Sequence, residues 1–95
     1  FGNKAFVVME FKSLNCQLPF GQRLAIERLI NLINGAGKNC IGIIAEHNTL
    51  IGKEIDCANT IVKEIKQKDE WIKCDNKTVK EVIDSFLKEY APEYL

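Results

Sequence analysis

Two apolar runs, Phe6-Val7-Val8-Met9 and Ile41-Gly42-Ile43-Ile44-Ala45, flank a segment whose leucines and isoleucines recur at helical spacing. This arrangement constrains the fold more than any other feature. Residues 4–12 read as a strand, because side chains alternate: Phe6, Val8, Glu10 and Lys12 share one face, and Ala5, Val7, Met9 and Phe11 the other. Apolar groups on both faces predict a central strand covered on two sides. Ser13 to Leu18 is a polar connection, and Pro19 and Gly21 introduce a helix. The helix is expected from Gly21 to Asn34. Leu24, Ala25, Ile26, Leu29, Ile30, Leu32 and Ile33 form its apolar face, with Arg23, Glu27, Arg28, Asn31 and Asn34 mostly opposite. Gly35-Ala36-Gly37 stops it, and Asn39 to Ala45 is the second apolar strand. Strand, helix and strand within so short a span make a βαβ unit, with parallel strands and a right-handed crossover.

The rest of the chain reads as a hairpin and a helix. Glu46 to Gly52 leaves the sheet as a loop. Ile55 to Lys66 is rich in β-formers, with Ile61, Lys63 and Ile65 alternating against Val62 and Glu64. Gln67 to Glu70 is a polar turn, and Trp71 to Cys74 a short returning strand whose tryptophan serves packing. Thr78-Val79-Lys80-Glu81 has the spacing of a capping box. The helix that follows, Val79 to Tyr90, buries Val79, Val82, Ile83, Phe86 and Leu87 and ends at Pro92. The expected fold is therefore α/β: a mixed sheet with one parallel βαβ unit, a following hairpin and a C-terminal helix.

Ninety-five residues are one small domain. Apolar content of 46% and charged content of 27% fit an ordinary globular protein, and no apolar run reaches the length of a membrane span. Only Phe1 to Lys4 precede the first strand, so residues 1–95 are expected to be a fragment of a larger domain. Cys16, Cys40, Cys57 and Cys74 form no Cys-x-x-Cys pair, and the only histidine is His47. That pattern argues against structural zinc and against a disulfide framework, and fits thiols in a reducing cytoplasm. Thirteen basic and thirteen acidic residues cancel, which speaks against a protein that coats nucleic acid. Residues 1–40 nevertheless hold Lys4, Lys12, Arg23, Arg28 and Lys38 against Glu10 and Glu27 alone. This is the half better suited to phosphate.

The candidate site lies at the end of the first strand. Glu10 and Lys12 project from one face where the apolar run gives out. A carboxylate can hold a divalent cation there, and a neighbouring ammonium can stabilise charge on an attacking water or a transition state. Gln22 falls at helical spacing with Ile26, Leu29 and Ile33, which predicts a place on the sheet-facing stripe. A βαβ crossover starts its helix on the side where the first strand ends, so Gln22 is expected near Glu10 and Lys12. Of the later acids only Glu46 can approach this corner. His47 reads as a loop residue more readily than as a proton carrier.

The run Phe6-Val-Val-Met-Glu-Phe-Lys12, then Leu18-Pro-Phe-Gly-Gln22 on a helix and a second apolar strand, resembles the back half of a restriction-endonuclease-like nuclease. This is the superfamily with a Pro-Asp…(Asp/Glu)-x-Lys site, here closest to its small phage and bacterial members with a Gly-Gln helix. The resemblance covers about residues 5–46. It implies a metal-dependent hydrolase of DNA phosphodiesters, with Glu10 and the Phe11 carbonyl as ligands of Mg²⁺ or Mn²⁺. Lys12 would be its catalytic lysine and Gln22 the amide beside it. The acid that such nucleases carry on an earlier strand has no counterpart here, so the N-terminal part of that core would be missing. A catalytically inactive α/β interaction or assembly module is the alternative. Where the missing strands belong, the sheet would have an exposed edge, which invites pairing with a second copy, giving a homodimer, or a strand exchange.

Overall fold

The computed structural model describes residues 1–13, 18–47, 56–68, 70–74 and 76–95. Strand β1 spans Ala5–Ser13, helix α1 Phe20–Gly35 and strand β2 Asn39–His47. β1 and β2 pair in parallel, in continuous register from Ala5↔Asn39 to Ser13↔His47, as the βαβ pattern requires. Strands β3 (Ile61–Lys66) and β4 (Ile72–Lys73) add antiparallel, giving the order β1-β2-β3-β4. Helix α2 spans Val79–Tyr90. The mixed α/β fold is the one the sequence predicts.

Each helix covers one face of the sheet. On one side Ala5, Ile41, Ile43, Ala45 and Val62 pack against Val79, Val82, Phe86 and Leu87 of α2. On the other, Ile26 and Ile30 of α1 pack with Cys40, Phe6, Val8 and Trp71. β1 is thus covered on both faces, as expected, but it is the edge strand and not a central one. Two-sided coverage arises from the helices, and side-chain patterning alone does not report how many strands flank a ribbon.

Two local features rotate side chains away from the expected pattern. A Cβ on Gly42 would collide with Cδ1 of Ile30, so Gly42 is the notch into which α1 seats Ile30. Seating Ile30 fixes the rotation of the helix. Leu29 and Leu32, expected inside, are 44% and 72% exposed, whereas Arg23 and Glu27, expected outside, are partly buried. The second feature is a register shift: Ile44 pairs with Glu64 but Ala45 with Val62, so Lys63 is skipped. The bulge breaks the alternation expected for this strand. Val62 and Ile65 both join the α2 side, while Glu64 stays level with Ile44 on the α1 side.

Element boundaries follow the expectations closely elsewhere. β2 runs on through Glu46 and His47, where a loop was expected to begin. β3 starts at Ile61, after a single turn of 3-10 helix at Cys57–Asn59; Ile55 and most of the expected loop fall outside the described residues. The capping box at Thr78 and Glu81 is present in both directions.

Candidate functional site

The carboxyl ends of β1 and β2 lie side by side, and in open α/β sheets this is the end at which ligands bind. On the α1 face Lys12 stands opposite Glu46, and Glu10 one row below stands opposite Ile44. Strand spacing and rise put Glu10 and Glu46 about 8 Å apart at their Cα atoms, within reach of one another's side chains. Lys12 Nζ donates to Glu46 Oε2 at 2.8 Å, with the two side chains 17% and 12% exposed. Glu10 is half-buried beside them.

A second polar group adjoins on the same face. Glu64 shares the row of Ile44 and Glu10, so it stands about 10 Å from Glu10 across β2. Arg23, in the first turns of α1, donates to both its oxygens: Nη2 to Oε2 at 2.7 Å and Nη1 to Oε1 at 3.4 Å. The guanidinium also lies 5.2 Å from the ring centroid of Trp71, whose Nε1 donates to Glu27 Oε1 at 2.7 Å. Helix α1 is therefore tied to β3 and to the segment before β4 by charge as well as by packing.

Of the residues expected at the site, Glu10 and Lys12 share the α1 face as the alternation predicts. Phe11 turns its side chain to the α2 core. Gln22 does not join them. It is exposed, because it lies about 80° around the helix from the seated Ile30. Arg23, two turns before Ile30, takes the inward position instead. Reading the helix from Gly42 and Ile30, in place of the wider leucine-rich stripe, is the signal that would have found Arg23. Glu64 could not be placed without the bulge.

These features define a class: a three-layer α/β domain with acid and base side chains gathered at the carboxyl ends of a parallel strand pair. Neither the protein-family models, nor the curated proteins, nor the solved structures contain a match to this chain.

Whether a metal fits can be judged from the donors. Among the described residues no group of three or more His, Cys, Asp or Glu side chains is placed to hold one ion. Glu10 and Glu46 offer two carboxylates, the latter already engaged by Lys12. Mg²⁺ is ordinarily held by one or two carboxylates with water filling the other positions, so this pair suits a weakly held hard cation and not a dedicated cage.

Proposed function

We propose that this domain is the metal-bearing part of a nuclease that hydrolyses DNA phosphodiester bonds with Mg²⁺ or Mn²⁺. The observation that carries the reading is the convergence of Glu10, Lys12 and Glu46 on one face at the ends of two parallel strands. Support also comes from the resemblance of the strand–helix–strand order around Glu10-x-Lys12. Glu10 and Glu46 would hold the ion; the Phe11 carbonyl, expected as a further ligand, points to the open edge of β1, away from Glu46 on β2, and is not placed to share it. When bound, the ion would neutralise phosphate charge and acidify a coordinated water. Glu46 holds the Lys12 ammonium in one position, where it can stabilise developing negative charge beside Glu10. Gln22 has no part in this scheme. The basic bias of residues 1–40 suits a DNA partner, and the thiols of Cys40 and Cys74 suit the cytoplasm. No helix among the described residues is long and apolar enough to cross a membrane.

Incubation with supercoiled plasmid and with short duplex DNA, in Mg²⁺ or Mn²⁺, tests the reading. Cleavage is expected, and a loss of at least about 100-fold in Lys12→Ala. Equal cleavage by the parent protein and Lys12→Ala would remove the lysine from the chemistry. The rival reading, an inactive assembly module, draws on the Lys12–Glu46 pair, which already neutralises the lysine, and on the apolar edge of β1. Absence of cleavage together with self-association would favour it.

A further inference from the structure

We propose that the outer edge of β1 takes β1 of a second copy of this chain, antiparallel, so that one sheet runs across a twofold axis. The inference rests on the assembly reading and not on the nuclease one. Backbone direction is set at one end of the strand, where the Asn39 amide donates to the Lys4 carbonyl at 3.2 Å. Alternation then turns the even-numbered residues of β1 toward β2, and Ala5, Val7, Met9 and Phe11 toward the open edge. Ala5 is already closed: its amide donates to the Phe1 carbonyl at 3.3 Å and its carbonyl accepts from the Phe1 ammonium at 2.9 Å. The outward amides and carbonyls of Val7, Met9 and Phe11 have no backbone partner among the described residues.

An edge of this length is normally blunted by proline, a bulge, or charge pointing into the pairing zone. From Ala5 to Met9 there is none of these. Instead Phe6, Val7 and Val8 are half-buried and Met9 is 39% exposed, so a further strand would bury apolar surface on both faces.

The strand is complementary to itself in one register. Met9 is the midpoint of Ala5–Ser13, so antiparallel pairing about Met9 overlaps the whole strand. Val7 then faces the partner's Phe11, Met9 faces the partner's Met9, and Phe11 faces the partner's Val7. These three pairs join open outward groups on both strands, whereas Ser13 falls opposite the partner's Ala5, whose groups Phe1 already takes. Glu10 lies opposite the partner's Val8 and Lys12 opposite the partner's Phe6, so no like charges meet directly. The neighbouring registers are penalised. Moving the axis to Glu10 sets that carboxylate against the partner's Glu10, and moving it to Val8 sets Lys12 against the partner's Lys4. Odd-numbered slips would leave outward groups facing nothing.

The test is the solution mass of the full chain by light scattering at tens of micromolar, with two variants checked for folding by circular dichroism. The parent is expected at twice the chain mass. Met9→Lys, which sets two ammonium groups together at the axis, and Met9→Pro, which removes only an outward donor, are expected to be monomeric. Met9→Cys in a Cys57→Ser background is expected to cross-link under mild oxidation more readily than the Cys57→Ser chain alone, because hydrogen-bonded antiparallel pairs place Cα atoms about 5.5 Å apart. A monomeric parent overturns the proposal. So does a dimer that survives Met9→Lys, even where Met9→Pro fails to fold, and so does a Met9→Cys chain that cross-links no more readily than its Cys57→Ser background.

Discussion

Lys12 Nζ and Glu46 Oε2 lie 2.8 Å apart across the carboxyl ends of two parallel strands, mostly out of water. Such a pair contributes more than an exposed one, and removing a single partner leaves an unbalanced charge in a poorly solvated place. Glu46→Gln keeps the shape and removes the charge. It is expected to cost about 1–2 kcal/mol in urea unfolding, between the values for exposed and buried pairs. Lys12→Met combined with Glu46→Leu is expected to recover most of that loss. A single variant as stable as the parent would show that the pair contributes nothing to folding.

A divalent ion held by Glu10 and Glu46 must raise the melting temperature by mass action, since it binds the folded chain alone. At an ion concentration 100 times the dissociation constant the gain is about 2.7 kcal/mol, or roughly 10–20 °C for a domain of this size. The expected result is a rise between zero and millimolar Mn²⁺ or Mg²⁺ that disappears in Glu10→Ala. Differential scanning fluorimetry reads it directly. A flat parent curve, or an equal rise in Glu10→Ala, would place any ion elsewhere.

Helix α1 sits as it does because Gly42 leaves room for Ile30, with Trp71 closing the same notch 3.3 Å from where a Cβ would lie. Gly42→Ala puts a methyl into the Ile30 side chain, and overpacking of this kind costs about 1–3 kcal/mol. Ile30→Val in the Gly42→Ala background should return part of the stability by clearing the colliding Cδ1. If the two changes simply add, the notch is not what positions the helix.

The βαβ unit was legible because its two signals are long and redundant: two apolar runs, and a helix-length segment bounded by Pro19 and Gly35 between them. The capping box was legible because Thr78 and Glu81 satisfy each other's groups within one turn and need nothing from the rest of the fold. Edge position was hidden. Phe6, Val7 and Val8 look the same whether helices or strands cover them, and only topology distinguishes the cases. The site was legible where alternation decides it, at Glu10 and Lys12, and lost where rotation decides it. Gln22 and Arg23 are adjacent in sequence, and a glycine some twenty residues later determines which of them faces the sheet. Glu64 depends on a bulge, and nothing in Val62-Lys63-Glu64 announces one.

The Thr78–Glu81 capping box makes stability depend on acid in a stated direction. The Thr78 backbone amide donates to Glu81 Oε1 at 3.0 Å, and the Thr78 hydroxyl donates to the same oxygen at 3.2 Å. These bonds, the backbone one first, hold the Glu81 carboxyl below its ordinary value. A carboxylate with a lowered folded-state pKa contributes stability above its unfolded value, and loses it as pH falls through the folded one. Thr78→Ala removes the hydroxyl that accepts from the Glu81 amide at 3.2 Å, a loss of about 1 kcal/mol for an N-cap. The difference between parent and Thr78→Ala is therefore expected to be largest near neutral pH. It should narrow below the ordinary glutamate range without vanishing, because the hydroxyl still accepts from the amide when the carboxyl is protonated. Urea midpoints measured from neutral to strongly acid pH give both curves. A difference that stays constant across that range would mean the bond from the Thr78 hydroxyl to the carboxylate contributes nothing to the cap.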